Sequence, residues 1–168
     1  MAAEAQPPSD LSAPFSPEER AWMELALGQG RLALELDEVP VGAVLVVAGR
    51  PLAADHNRTR QTVDPCAHAE ILVLRDAARR LGVSRLVGAR LFTTLEPCLM
   101  CAGALLHARL AEVVWATRDP KFGGGASLAR LFDLPGANHR IAWREGLLAE
   151  ESRALLLGFF RAKRRPQP

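Results

Sequence analysis

Near the start of the chain, apolar residues recur at helical spacing: Trp22, Leu25, Ala26, Leu32, Ala33 and Leu36 predict one helix with these side chains on its apolar face. Its beginning is marked by Ser16 as cap, Pro17 at the first helical position and Glu19 completing a capping box. Gly28 and Gly30 each cost such a helix about 1 kcal/mol relative to Ala, so it must be held by packing. Residues 41–47 form a continuous apolar run of strand length. A turn at Ala48-Gly49-Arg50 and a shorter strand over 51–55 complete a hairpin. Residues 67–81 are helical, with Ile71, Leu74, Ala78 and Leu81 on one side. Then follow a strand over 89–93, a helix over 97–110 and a strand over 111–116. Gly123-Gly124-Gly125 reads as a flexible loop. A short helix over 127–132, a fifth strand over 139–143 and a long helix over 147–163 close the chain. Strands alternating with helices predict an α/β sandwich around one sheet, without internal repeats.

At 168 residues this is one domain with a real core. Residues 1–15, rich in Ala, Pro and Ser, are expected to be a disordered extension, with the folded domain over 16–165. No apolar run reaches the roughly 20 residues that span a bilayer. The first residues lack both the basic start and the apolar stretch of a secretory signal, so the expected location is the cytoplasm. Reduced thiols fit that setting, and Cys66 needs no disulfide partner. A net charge of +2 says little about nucleic acid. Arg161, Lys163, Arg164 and Arg165 do cluster at the end of the last helix, although on its own such a run reads as a solvated helix terminus.

The chemistry lies in two short strings, Ala67-His68-Ala69-Glu70 and Glu96-Pro97-Cys98-Leu99-Met100-Cys101. His68, Cys98 and Cys101 make three ligands suited to a catalytic zinc ion, which keeps its fourth position for water; a structural zinc would close with a fourth ligand. No second C-x-x-C is present to form a zinc ribbon. Cys98 and Cys101 are neighbours at i and i+3 of a helix start, where the dipole favours thiolates. His68 and Glu70, two apart, do not share a helix face. Both reach one metal site only if they occupy the first turn and the metal lies off the helix end. Glu70 would then take a proton from a zinc-acidified water, pass it to a ring nitrogen of a base and protonate the leaving amine.

H-x-E with P-C-x-x-C is the signature of zinc-dependent nucleobase deaminases. On these residues the chain is identified as a member of the cytidine/deoxycytidylate deaminase superfamily. Further segments resemble its bacterial tRNA adenosine deaminase branch: 37–43, Asn57, 94–104, the Arg118–Gly124 stretch, 138–140 and the ending Phe159-Phe160-Arg161. The resemblance covers roughly 16–165. It implies a three-layer α/β/α sandwich with a central five-stranded mixed sheet, one zinc per subunit, a homodimer and no organic cofactor. It also implies hydrolysis of the wobble adenosine to inosine in a tRNA anticodon stem-loop, with an ACG-bearing arginine tRNA as the expected substrate. A free nucleobase or nucleoside deaminase, such as one acting on guanine or cytosine, is the alternative; a zinc-bearing scaffold is a third reading.

By itself Asn57 reads as a turn residue after the hairpin; the resemblance makes it the residue that holds the target base. In the same way it gives Asp119 a ribose hydroxyl, Lys121 a place on the substrate loop, Phe160 a splayed base to stack on, and Arg161, Lys163 and Arg164 phosphates to meet. Phe159 is expected in the core. Two positions depart from the pattern. Cys66 replaces a Thr, and as a thiol near His68 could close the metal site; a small buried thiol is the simpler reading. Thr59 replaces a Pro on the rim of the base pocket. With no Tyr in the chain, stacking falls to Phe, His, Arg or Trp.

Overall fold

A computed structural model describes residues 13–164; residues 1–12 of the expected extension and Arg165 lie outside them. The element order is α1 (Pro17–Glu35), β1 (Gly42–Val47), β2 (Arg50–His56), a short α2 (Thr59–Thr62), α3 (Ala69–Leu81), β3 (Arg90–Leu95), α4 (Leu99–Ala108), β4 (Glu112–Thr117), β5 (Ala142–Glu145) and α5 (Ala149–Arg164). The strands form one sheet in the order β2-β1-β3-β4-β5. β1 runs antiparallel to β2 and β3, while β3, β4 and β5 are parallel. This is the five-stranded mixed sheet expected from sequence.

Two cores sandwich the sheet. On one face, Val73 and Ala77 of α3 and Ala102 and Leu105 of α4 pack on Leu45, Leu91, Val113 and Trp115. On the other, Met23, Ala26 and Leu27 of α1, with Leu147 and Leu148 before α5, pack on Val44, Val46, Phe92 and Val114. Successive strand residues thus alternate between layers, as the pleat requires. Phe15, assigned by sequence to the extension, packs on this second core, with the Arg144 guanidinium 4.7 Å from its ring centroid.

The capping box at Ser16 forms as expected, with Glu19 N–H donating to the Ser16 hydroxyl and Ser16 N–H to the Glu19 carboxylate. The predicted face of α1 holds in part. Ala26 and Ala33 are buried and Trp22 packs on the second core, but Leu25, Leu32 and Leu36 are exposed, and Met23, Leu27 and Gly30 are buried in their place. The reason is close approach: a Cβ on Gly42 would lie 2.6 Å from Gly30 N, and one on Gly30 would lie 3.1 Å from Pro40 O. Glycine at both positions lets helix and strand backbones touch, and that contact sets the rotation of α1. Other boundaries also shift. The expected helix over 127–132 is only a 3-10 turn at Leu131–Asp133, and the fifth strand begins at Ala142 rather than at 139. α2 was not expected.

The N-terminal end of the sheet is pinned by charge. Glu112, wholly buried in β4, accepts from Arg90 (2.6 Å) and Arg144 (2.7 Å), and both guanidiniums also reach Glu19. Burial pushes the Glu19 carboxyl up, but Arg144, the Ser16 N–H and Arg90 outweigh it and hold it below the ordinary value. A carboxyl depressed on folding contributes stability above its unfolded pKa and loses it as pH falls through the folded one. Glu19→Gln is therefore expected to lower stability at neutral pH and to flatten acid denaturation below about pH 4.5. Urea titrations at a series of pH values check this; parallel wild-type and variant curves would contradict it.

Candidate active site

The loops that carry chemistry gather at one end of the sheet. These are the C-terminal ends of β3, β4 and β5, the start of β1 and the end of β2. Ligands of open α/β sheets bind outside the carboxyl ends of parallel strands. Here Asn57 N–H donates to Val41 O (3.0 Å), Gly42 N–H to the Thr94 hydroxyl (3.1 Å) and Arg58 N–H to Ala67 O (3.0 Å), which draws these loops together.

His68 is the N-cap of α3 and Cys98 the N-cap of α4, both with extended backbone. Pro97 thus precedes the cap instead of opening the helix. Two helix N-termini, each with partial positive charge, converge on one point. His68 Nδ1 lies 3.6 Å from Cys98 Sγ and 3.5 Å from Cys101 Sγ. The three ligand atoms lie within 4.8 Å of one another and could hold a metal ion. Cys66 is not in that cluster; its N–H caps the Asp64 carboxylate at 2.8 Å. Hydrogen bonds from Cys101 and His68 outweigh burial and bring the Cys98 thiol down to about 4, while the neighbouring Cys98 sulfur and burial push Cys101 up. The hydrogen bond to Cys98 raises His68. An imidazole nitrogen and two sulfurs sharing one proton system are the donor set of a borderline-soft cation.

Glu70 resolves the spacing difficulty as the first-turn geometry requires. It stands in the opening turn of α3, is 3% exposed, and places Oε2 3.6 Å from Cys101 Sγ. Its Oε1 accepts from the Thr93 hydroxyl at 3.5 Å. Burial drives its carboxyl upward. A carboxyl raised in this way and set beside a metal-type cluster can both take and return a proton.

Asn57 is buried, with its amide nitrogen donating to Glu38 (2.9 Å) and Thr59 (3.2 Å). The Asp119 carboxylate caps its own loop, accepting from Lys121 N–H (3.0 Å) and Phe122 N–H (3.3 Å); the Lys121 side chain is exposed. Phe159 is buried, as expected, and Phe160 is 43% exposed beside exposed Arg161 and Arg164 on the last turns of α5. Lys163 is exposed, pairs with Asp37 and lies 5.5 Å from the Phe159 ring centroid.

Near the site, sequence reading missed two buried carboxylates, Glu38 and Glu96. Glu96 accepts from the N–H groups of Asp119 (3.0 Å), Ala126 (2.7 Å) and Ser127 (2.8 Å) and from the Ser127 hydroxyl. It holds the whole Arg118–Ser127 loop against the metal-ligand end of α4, where Cys98 and Gly123 form an isolated β-bridge. The triple glycine is therefore not a flexible loop. A Cβ on Gly123 would lie 2.5 Å from Glu96 Oε1, on Gly124 2.9 Å from Leu99 Cα, and on Gly125 2.9 Å from the Trp115 ring. At the loop's start Arg118 forks onto Glu145 (2.8 and 2.7 Å), which also accepts from Trp115 Nε1 (3.1 Å). Trp115 stacks on Trp143 with centroids 5.0 Å apart.

Comparison with known proteins agrees with this geometry. The MafB19-like deaminase family model matches residues 17–164. The tRNA-specific adenosine deaminase of Agrobacterium fabrum is 49% identical over 85% of this chain and 94% of its own length. That of Bacillus subtilis is 40% identical over 88% and 92%. A solved structure from a study of A-to-I editing by deaminases at the wobble position of transfer RNA superposes with a TM-score of 0.79, at 48% identity over 81% of this chain and 99% of that one. The guanine deaminase of Nitrosomonas europaea shares the architecture less closely, with a TM-score of 0.73 and 28% identity over 94% and 89%. Sheet order, the His68–Cys98–Cys101 cluster with Glu70 beside it, and these relatives converge: the chain belongs to the MafB19-like deaminases and, among them, to the tRNA-specific adenosine deaminases.

Proposed function

We propose that the protein hydrolyses the wobble adenosine of a tRNA anticodon to inosine, with zinc held by His68, Cys98 and Cys101. The observation that carries the reading is the buried Glu70 carboxyl against a three-donor cluster, in a chain 35–49% identical to tRNA-specific adenosine deaminases. One imidazole and two sulfurs, with no fourth protein donor in the cluster among the described residues, fit a catalytic zinc. Zinc bound there supplies Lewis acidity that brings a water's pKa toward neutrality.

Glu70 does the proton work. It accepts a proton from the attacking water and hands it to a ring nitrogen of the adenine as the water oxygen bonds to the carbon bearing the amino group. It then delivers the second water proton to that amino group; the C–N bond breaks, ammonia leaves and the ring keeps the oxygen. Asn57 holds the target nucleoside beside His68, and the Arg118–Ser127 loop, with Asp119 and Lys121, borders it. Phe160 stacks on a loop base while Arg161 and Arg164 meet phosphates; Lys163 serves mainly to tie α5 to Asp37. The working form is a cytoplasmic homodimer, and an ACG-bearing arginine tRNA is the substrate. Among the described residues no helix is long and apolar enough to cross a membrane.

The test is incubation of zinc-loaded protein with an ACG anticodon stem-loop, with free guanine, cytidine and adenosine run in parallel. Inosine at the wobble position with the small substrates untouched is expected. Turnover of guanine alone would transfer the function to the chemistry of the Nitrosomonas relative. Arg161→Ala and Arg164→Ala are each expected to weaken stem-loop binding and to reduce the slope of log affinity against log salt by about 0.7–0.9. Unchanged slopes would remove α5 from the RNA path.

A further inference from the structure

Glu38 is wholly buried between α1 and β1, yet among the described residues no cation pairs with it. The nearby Arg60 guanidinium turns to Asp37 instead, at 2.5 Å. Glu38 Oε1 accepts from the N–H groups of Arg60 (2.7 Å) and Gln61 (2.8 Å), and Oε2 from Asn57 Nδ2 (2.9 Å) and the Thr59 hydroxyl (3.3 Å). Burying a carboxylate on neutral donors alone is costly, and an apolar side chain would serve stability as well. What the carboxylate achieves is orientation. An amide has two N–H donors and one acceptor oxygen. The Asn57 amide nitrogen donates to both Glu38 and Thr59. A half-turn of the amide would set its oxygen against the Glu38 carboxylate, acceptor to acceptor. Thr59, the residue that replaces proline in the pattern read from sequence, closes this ring with a hydroxyl that proline lacks.

We propose that Glu38, completed by Thr59, is a positioning residue that locks the Asn57 amide with Oδ1 outward. Asn57 then meets the target nucleotide as an acceptor, for an O–H or N–H donor. This rests on the reading of Asn57 as a substrate contact. Backbone hydrogen bonds fix the amide's place on both sides: Asn57 N–H to Val41 O, and Arg58 N–H to the carbonyl of Ala67, which adjoins His68.

Steady-state deamination of the anticodon stem-loop by Asn57→Ala, Glu38→Gln, Thr59→Val and the two double variants containing Asn57→Ala tests it, with zinc content and thermal unfolding measured alongside. Glu38→Gln is expected to raise KM about tenfold with kcat retained, because the lost contact serves ground and transition states alike. Thr59→Val, which leaves the carboxylate and α2 anchored, is expected to raise KM about threefold and carries the test if Glu38→Gln does not fold. In the Asn57→Ala background neither change is expected to add anything. Additive losses, or a KM raised by Asn57→Ala alone, would overturn the positioning role. A KM unmoved by Asn57→Ala would remove the substrate-contact reading beneath it. Repeating the Asn57→Ala comparison with 2′-deoxyadenosine at the target identifies the donor: a penalty that vanishes assigns the 2′-hydroxyl, one that persists assigns the amino group.

Discussion

Glu70→Gln is expected to lower kcat for inosine formation by about 10³-fold while leaving the metal content and fold intact. The side chain is nearly isosteric, so the Thr93 hydroxyl at 3.5 Å keeps a partner and the first turn of α3 is undisturbed. What disappears is the buried carboxyl in contact with Cys101 of the cluster, and with it the group proposed to take and return protons. Burial has already raised that carboxyl, which narrows the gap between its affinity for a proton and that of the groups it serves. Metal analysis and single-turnover deamination on the same preparation decide the matter. Near-wild-type turnover with metal bound would show that another group moves the proton. Turnover lost together with metal would show that Glu70 supports the cluster.

Gly123→Ala is the second large effect. The new methyl would lie 2.5 Å from the Glu96 carboxylate oxygens, and Glu96 cannot retreat because the Asp119, Ala126 and Ser127 donors hold it from three points of the loop. Overpacking of this kind costs about 2–3 kcal/mol, measurable as a shift in the urea midpoint. The loop also carries Asp119 and Lys121, so stem-loop deamination is expected to fall further than stability alone explains. Glu96→Ala in the Gly123→Ala background should relieve the clash but not restore activity, because the donors along the loop would then have no acceptor. A fully active double variant would mean that Glu96 only fills space.

What the sequence disclosed depended on how local each signal was. His68, Glu70, Cys98 and Cys101 were legible because their spacing encodes two helix starts, and a helix start aims its ligands without help from the rest of the chain. The beginning of α1 was legible for the same reason: Ser16, Pro17 and Glu19 complete a cap within one turn. The rotation of α1 was not, because Gly30 and Gly42 meet across a helix–strand contact, and a glycine's lack of a side chain looks the same in a sequence whether it serves a turn or a close approach. Gly123, Gly124 and Gly125 misled in that way, reading as slack where each is packed too closely for a side chain. Glu38 and Glu96 were illegible because a carboxylate in a loop is ordinarily solvated; only the fold brings backbone N–H groups from distant residues around it. The pairing of Lys163 with Asp37 was illegible for the same reason, because the two residues are distant in the chain.

The Trp115–Glu145–Arg118 chain of contacts makes the molecule its own optical gauge. With three tryptophans and no tyrosine, its ultraviolet emission comes from indoles alone. Trp115 is fully buried and stacked on Trp143, and its N–H shares the Glu145 carboxylate with Arg118 at the base of the Arg118–Ser127 loop. Any docking event that pulls Arg118 away leaves a negative charge on that indole with no opposing cation, and its emission must shift. Unlabelled RNA can therefore be titrated against unlabelled protein, with loop engagement read as a change of colour separately from turnover.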